Sequence, residues 1–388
     1  MNILHIGKYY PPYYGGMETY LQDLTRQQVK DGHQVSVLVH NHQHGWLYSS
    51  TETTSDNGVN VIRQSSLRPL LFTPLMLGLG KSLNKLFTES PPDLIHISWP
   101  NPSALLLLLN RQAKSVPWIL QWHSDMVTQH SSWLLKFVYR LFKPFEKTLI
   151  NRCHTIVTSS TAYAEYSPAL KHALDKTRTI AIGIDTENIS SAHKKAQVSD
   201  HWFKTQQGLK IFSLGRLTFY KNHQLLLKVL QQHPDWQLVI AGQGPEHKKL
   251  SESIQQWNLS DRVKLTGSLK EDDVHALYQS CDVFCLASND RAESYGLVLL
   301  EAMAHDCIVV GPNTPGSGMQ YLVEQYNKGF VFDNDDVESL STTLQSIQNT
   351  QQAIHKKNNN FNLQIANTAE LNAALYTEIL KKSTGEES

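Results

Sequence analysis

The sequence predicts an α/β protein made of two successive domains, each a mostly parallel sheet with helices on both faces. Three observations predict it. Short apolar runs alternate with longer helical stretches, the pattern of repeated strand–helix–strand units. The alternation lapses over residues 186–207 and then restarts. A length of 388 residues suits two domains better than one.

In the first domain, residues 1–185, strands are expected at Ile3–Ile6, Val35–Val39, Val59–Ile62, Leu94–Ile97, Trp118–Gln121, Thr155–Thr158 and Thr179–Ile182. Helices are expected at Met17–Lys30, Leu71–Phe87, Ser103–Lys114, Trp133–Ile150 and Ala162–His172. Residues 186–207 read as a linker, because Ser190-Ser191-Ala192-His193-Lys194-Lys195 is polar and lacks periodicity.

The second domain, 208–365, predicts strands Lys210–Leu214, Gln237–Ala241, Val263–Leu265, Val283–Leu286, Ile308–Val310 and Phe330–Phe332. Its helices are expected at Asn222–Gln232, Glu246–Trp257, Glu271–Ser280, Tyr295–Ala304 and Val337–Gln348. After the polar break at residues 356–360, a last helix over Thr368–Lys382, within 366–388, is expected to return to the first domain. Open parallel sheets bind ligands at the carboxyl ends of their strands. Two facing sheets of this Rossmann-like kind would enclose a cleft.

Bulk properties exclude several classes. Lys+Arg and Asp+Glu both number 35, which argues against a general nucleic-acid binder. Cys153, Cys281, Cys285 and Cys307 form no Cys-x-x-Cys pair, so neither a zinc ribbon nor a redox motif is expected, and buried free thiols are preferred. Met1 leads straight into a strand with no signal-peptide pattern. The longest clean apolar run, Ala104–Leu109, is too short to span a bilayer. A cytoplasmic protein, at most attached to a membrane surface, is expected.

Four loops that follow strands carry candidate chemistry. In Glu293-Ser294-Tyr295-Gly296-Leu297-Val298-Leu299-Leu300-Glu301, two carboxylates lie eight residues apart at and within a helix start. At about 100° per residue they fall on neighbouring faces. The amides of Tyr295, Gly296 and Leu297 would meet an anion at the helix N-terminus. The same pattern also suits an amphipathic helix with an acid favoured by its dipole.

Arg216 and Lys221, five residues apart between a strand and a helix, suit a diphosphate: a fork for two oxygens and a point charge. A solvated basic loop reads the same way. Gly15-Gly16 would let backbone approach a ligand. Neither it nor Gly242-Gln243-Gly244, with His247 in place of a third glycine, completes Gly-x-Gly-x-x-Gly, which disfavours a nicotinamide enzyme.

His123 and Asp125 end the fifth strand; Ser124 or Asp125 would otherwise cap a helix. His40, His42 and His44 read as solvent-exposed, and Asp333-Asn334-Asp335-Asp336 as a capping cluster before Val337 rather than a metal site.

In this order along the chain, Gly15-Gly16, His123, Arg216 with Lys221, and Glu293 with Glu301 resemble the family 4 glycosyltransferases, retaining enzymes of the GT-B fold. The resemblance covers nearly the whole chain, including Ser159, Gly183-Ile184-Asp185 and Thr266-Gly267. Arg291–Met303 and His123-Ser124-Asp125 are close to bacterial surface-polysaccharide members. Ser294-Tyr295 replaces the commoner Gly-Phe, and His305-Asp306-Cys307 replaces the usual Gly and Pro.

The resemblance implies a nucleotide-diphosphate sugar as donor, GDP-mannose or a UDP-sugar, and a glycan or lipid-linked acceptor. Arg216 and Lys221 would neutralise the diphosphate, Glu293 would contact the sugar and Glu301 the ribose. Amides near Gly296 and Gly16 would approach phosphate or sugar, and His123 would lie near the anomeric carbon. No cofactor or metal is implied. A nucleotide-sugar epimerase and a non-catalytic nucleotide-sugar-binding protein are the alternatives.

Helix Trp133–Lys147 carries Lys136, Arg140, Lys143 and Lys147 in one stripe. Trp133 and Phe137 are expected on its flank, and Leu134, Val138, Leu141 and Phe145 packed on the sheet. Pro144 is expected to kink or end the helix. The stripe would suit an anionic membrane surface.

Overall fold

The computed structural model describes residues 1–13, 15–43, 50–67, 74–76, 78–126, 132–189, 202–204, 208–350 and 364–384. Two compact units divide the chain: Met1–Gly183 with Gln364–Ser388, and Ile184–Leu363. Tyr14, His44, the linker residues 190–201 and 205–207, and residues 356–360 lie outside the described residues.

The first unit comprises β1 (Asn2–Ile6), α1 (Gly16–Lys30), β2 (Gln34–His40), β3 (Glu52–Asp56), β4 (Val59–Gln64), α2 (Leu79–Glu89) and β5 (Leu94–Trp99). It continues with β6 (Trp118–Trp122), α3 (Trp133–Arg152), β7 (Thr155–Thr158), α4 (Thr161–Tyr166) and β8 (Thr177–Thr179). The strand order is β3-β4-β2-β1-β5-β6-β7-β8. Every pairing is parallel except that of β3 with β4.

Several elements differ from expectation. Strand β3 is polar and mostly exposed, so it lacks the apolar alternation that marks a strand. The turn at Asn57 and Gly58, both at positive φ (48° and 89°), folds it back on β4. The helix expected over Ser103–Lys114 is instead two 3₁₀ segments, Pro102–Leu109 and Ala113–Ser115. Asn101 and Asn110 accept from the amides of Ser103 and Ala113 at 3.2 and 2.8 Å, and these side-chain bonds divide the run.

Helix α4 ends at Tyr166, two residues before Pro168, which cannot follow a helical residue comfortably. Helix α2 starts at Leu79, later than expected, and Met76 donates its amide to Ser103 Oγ at 3.0 Å. His40 is buried, not solvent-exposed: Nδ1 meets the Lys8 carbonyl at 2.6 Å and Nε2 the Ser103 hydroxyl at 2.9 Å. His42 is half-buried, edge-on to Tyr13.

Helix α3 runs unbroken through Pro144. Pro144 lies on the exposed side, where a carbonyl freed from its helical hydrogen bond can be solvated rather than left buried. The cation stripe, Trp133 and Phe137 are exposed as expected, but the apolar face expected to pack on the sheet is not the one that packs. Glu146, Leu149 and Ile150 are buried, whereas Leu134, Leu141 and Phe145 point outward. Both sides of this helix are apolar, so periodicity alone did not separate them.

The second unit comprises β9 (Lys210–Leu214), α5 (His223–Gln232), β10 (Gln237–Ala241), α6 (His247–Gln256), β11 (Val263–Gly267) and α7 (Glu271–Ser280). It continues with β12 (Val283–Cys285), α8 (Leu297–Ala304), β13 (Ile308–Pro312), α9 (Met319–Gln325), β14 (Gly329–Phe332) and α10 (Val337–Thr350). Its strands are all parallel, in the order β11-β10-β9-β12-β13-β14. Chain direction across the sheet reverses between β9 and β12. That is the doubly wound order, whose ligand crevice opens at the carboxyl ends of the two strands flanking the reversal.

The last helix, α11 (Ile365–Thr384), belongs to the first unit. Leu375, Tyr376 and Ile379 pack on Ile3, Leu94, Ile119 and Val157 of the first sheet and on Ile180 just after β8. Tyr376 also closes a buried polar chain. His5 Nε2 meets Gln28 Oε1 at 2.8 Å, Gln28 Nε2 donates to the Tyr376 hydroxyl at 3.2 Å, and that hydroxyl bonds His96 Nδ1. The four cysteines are free; Cys153, Cys285 and Cys307 are buried and Cys281 is half-buried.

Candidate active site

In the second unit the reversal point gathers two of the candidate residues. The loop after β9 carries Gly215, Arg216 and, on a 3₁₀ turn, Lys221; the loop after β12 carries Glu293. Lys221 Nζ lies 2.5 Å from Glu293 Oε2, with only 7% and 15% of the two side chains exposed. The sequence suggested a cation pair, Arg216 with Lys221. The structure instead pairs Lys221 with Glu293, while Arg216 is exposed in the same loop.

The glycines set this geometry. A Cβ on Gly242, which sits at φ 137°, would come 1.9 Å from the Gly215 carbonyl oxygen. The loops after β9 and β10 therefore lie backbone against backbone. They are sewn together by Gly215 N to Ala241 O (3.0 Å), Leu217 N to Gln243 O (2.9 Å) and Glu246 N to Leu217 O (3.0 Å).

The Glu293 segment is not helical. Gly296 takes a left-handed conformation (φ 84°, ψ 62°) and α8 begins at Leu297, not at Tyr295. Glu293 thus sits on a turn, and the helical-face argument relating it to Glu301 does not apply. Asp290 builds that turn: its carbonyl accepts the Glu293 amide at 3.0 Å and its carboxylate the Ala292 amide at 2.8 Å. Ser317 and Gly318 brace it by donating to the carbonyls of Glu293 (2.6 Å) and Ser294 (2.7 Å). The first-turn amides of α8, Leu297 and Val298, have no intrahelical acceptor. Tyr295 is buried, and its hydroxyl has no hydrogen-bond partner among the described residues.

Glu301 lies one turn into α8, half-exposed, where the buried Tyr278 hydroxyl donates to its Oε2 at 3.1 Å. Burial and this carboxylate together push the Tyr278 phenol far above its ordinary range. Asp336 caps α10, accepting from Glu338 and Ser339 at 2.8 and 3.0 Å, while Asp335 and Asp333 are held by Asn222 and Asn313 at 2.8 Å each. No cluster of three metal-ligating side chains occurs among the described residues.

In the first unit, Gly15 precedes α1 and accepts the amides of Glu18 and Thr19 through its carbonyl at 3.1 and 3.0 Å. Glu18, in the first turn, is buried; sequence reasoning passed over it. Tyr20 of the same helix meets the His123 ring edge-on at 5.5 Å. His123 is held by its amide on the Trp99 carbonyl (2.9 Å) and is buried, with no partner for Nε2 among the described residues. Burial lowers its pKa to about 4, so near neutrality the ring is an uncharged hydrogen-bonding group.

Asp125 is buried at the end of β6. Its carboxylate accepts from Trp122 Nε1 (3.0 Å) and Ser167 Oγ (2.7 Å), anchoring the end of β6 to the segment after α4. Ser132, and not Ser124, caps α3. Ser159, after β7, is buried with its hydroxyl unpartnered among the described residues.

Residues 14–188 match the model of Glycosyltransferase Family 4, and residues 195–365 that of Glycosyl transferases group 1. The chain belongs to the family 4 glycosyltransferases. Among relatives of this glycosyltransferase, an O-antigen chain mannosyltransferase C of Escherichia coli is 25% identical over 361 residues, 93% of this chain and 92% of that protein. A D-rhamnosyltransferase of Pseudomonas aeruginosa is 26% identical over 68% of this chain and 66% of its own.

Solved structures share the GT-B fold. The catalytic domain of starch synthase IV from Arabidopsis thaliana, bound to ADP and acarbose, matches 98% of this chain and 99% of its own, with a TM-score of 0.71 and 16% identity. Anabaena HepE in complex with UDP-glucose matches 100% of this chain and 99% of its own, at 0.64 and 19%. Among the described residues, no helix of this glycosyltransferase is long and apolar enough to cross a membrane.

Proposed function

We propose that this glycosyltransferase moves a hexose, with retention, from a nucleotide-diphosphate sugar to a glycan or lipid-linked acceptor in surface-polysaccharide synthesis. The observation that carries the reading is the buried Lys221–Glu293 pair at the reversal point of the second sheet. A cation held there by a carboxylate can stabilise the charge that develops on a leaving diphosphate. Exposed Arg216, in the same loop, is placed to fork onto the same group. Glu293 then lies where the sugar would meet the diphosphate, and Glu301, oriented by Tyr278, takes the ribose hydroxyls.

In the first unit, Gly15, Gly16 and neutral His123 would contact the donor sugar as hydrogen-bonding groups. The donor class draws support from the UDP-glucose bound in HepE, and the acceptor class from the O-antigen relative. A lipid-linked acceptor would place the enzyme on the cytoplasmic face of a membrane. Side-chain cations replace a metal in this scheme, and no cofactor is called for. No observation favours an epimerase.

The test is transfer with GDP-mannose and UDP-hexoses, following release of free nucleotide and formation of glycosylated product in the presence of EDTA. Stoichiometric product with anomeric configuration kept is expected. Isomerised nucleotide sugar without transfer would overturn the reading. Activity abolished by EDTA and restored by Mg²⁺ would overturn its metal-free part.

A further inference from the structure

Helix α3 turns a large apolar row to solvent. Trp133 is 78% exposed, Phe137 59%, Leu141 65% and Phe145 56%. At about 100° per residue, each four-residue step advances the row by about 40°, so the four lie along one gently winding line. Twelve residues at about 1.5 Å each make it about 18 Å long. Leu134 is also exposed.

This is not the side on which the helix packs. Glu146, Leu149 and Ile150 are buried, and Phe142 packs inward against Trp99. Glu146, the only acid in α3, accepts the Tyr139 hydroxyl at 2.6 Å beneath the surface. Beside the apolar row run Lys136, Arg140, Lys143 and Lys147, all exposed. The outward surface of α3 therefore pairs a row of aromatic and aliphatic side chains with a stripe of four cations and presents no acid. Monomeric soluble proteins rarely expose contiguous apolar rows of this kind without a partner.

The charge pattern selects the occupant. A second copy docking through the same face would bring two cation stripes together in an isologous contact. An anionic bilayer neutralises the cations at its headgroups and takes the apolar row into its interfacial layer. We propose that α3 is a membrane-docking element, inserting Trp133, Phe137, Leu141 and Phe145 into the interfacial layer of an anionic bilayer while Lys136, Arg140, Lys143 and Lys147 engage its headgroups. This extends the lipid-linked branch of the functional reading, and its test needs neither donor nor acceptor.

The experiment is flotation of the full chain with phosphatidylcholine vesicles, with and without phosphatidylglycerol. Two variants accompany it: Phe137→Ser/Leu141→Ser/Phe145→Ser, and Lys136→Gln/Arg140→Gln/Lys143→Gln/Lys147→Gln. Wild type should float with the anionic vesicles only. Each variant should partition at least about tenfold more weakly, at an unchanged melting temperature. Brominated lipid should quench fluorescence in wild type but not the corresponding share in Trp133→Phe, which tests insertion even if a variant misfolds.

Wild type that fails to float, an apolar variant that floats equally well, or absent quenching would overturn the proposal. So would a wild-type dimer that the apolar variant abolishes. Flotation without any sugar transfer would sink the functional reading and leave this one standing; transfer to a soluble acceptor without flotation would do the reverse.

Discussion

Replacing Lys221 by Met should destabilise the second unit severely, because it strands Glu293. The two side chains are 7% and 15% exposed and 2.5 Å apart, so little water reaches the carboxylate once its partner is gone. Breaking a buried pair from one side typically costs about 3–5 kcal/mol. For a unit of this size that corresponds to roughly 6–20 °C in melting temperature. Replacing both partners, Lys221→Met with Glu293→Gln, removes the stranded charge and should restore most of the loss. The assay is calorimetric unfolding of wild type, both single variants and the double variant of the full chain, read as a double-mutant cycle. A Lys221→Met shift below about 1 kcal/mol, or a double variant no better than the sum of the singles, would refute the reasoning.

Arg216→Ala should leave the fold intact, since the side chain is exposed, yet slow transfer by about 10²–10³, the usual loss for one transition-state donor; wild-type rates would dismiss it from the diphosphate site. Tyr278→Phe keeps the buried ring but removes the donor to Glu301 and should weaken nucleoside-diphosphate binding about 3–10-fold by calorimetry. Unchanged affinity would show that Tyr278 does not position Glu301. Burial lowers the pKa values of His5 and His123 to about 4, from 6.5 in the unfolded chain. Their contribution to stability is therefore complete above pH 6.5 and is lost as pH falls toward 4, where the unfolded chain takes up protons that the folded one refuses. The loss should be on the order of a few kcal/mol, read as a falling first-unit melting temperature, and a flat profile over that window would contradict it.

Strands with strong apolar runs, such as β9 and β10, were legible to the residue, because a buried parallel strand has few other readings. Strand β3 was not, since its pairing rests on the Asn57-Gly58 turn rather than on its own residues. In the site, charge and loop position pointed to Lys221 and Glu293 separately. Their contact was invisible, because it depends on β12 lying next to β9, a long-range neighbourhood that no local period encodes. Tyr278 and Asp290 went unnoticed for the same reason: each acts through a carboxylate or turn that only the fold brings near. The Thr314-Pro315-Gly316-Ser317-Gly318 run did carry a turn signal, and it marks the segment that braces Glu293.

The return of α11 to the first unit has a consequence for biogenesis. Ile3, Leu94, Ile119, Val157 and Ile180 await a cover that the ribosome makes only after the whole second unit. Until then that patch is bare, although α1 already covers the neighbouring part of the same face with Leu21 against Val35, Val37 and Val39, and Gln28 and His96 lack the hydroxyl of Tyr376. The unit made first is thus the one that completes last, whereas the second unit is contiguous and can close as soon as it emerges. During synthesis, that open patch of the first sheet is where a nascent-chain chaperone would find its apolar surface, and the arrival of α11 is the event that removes it.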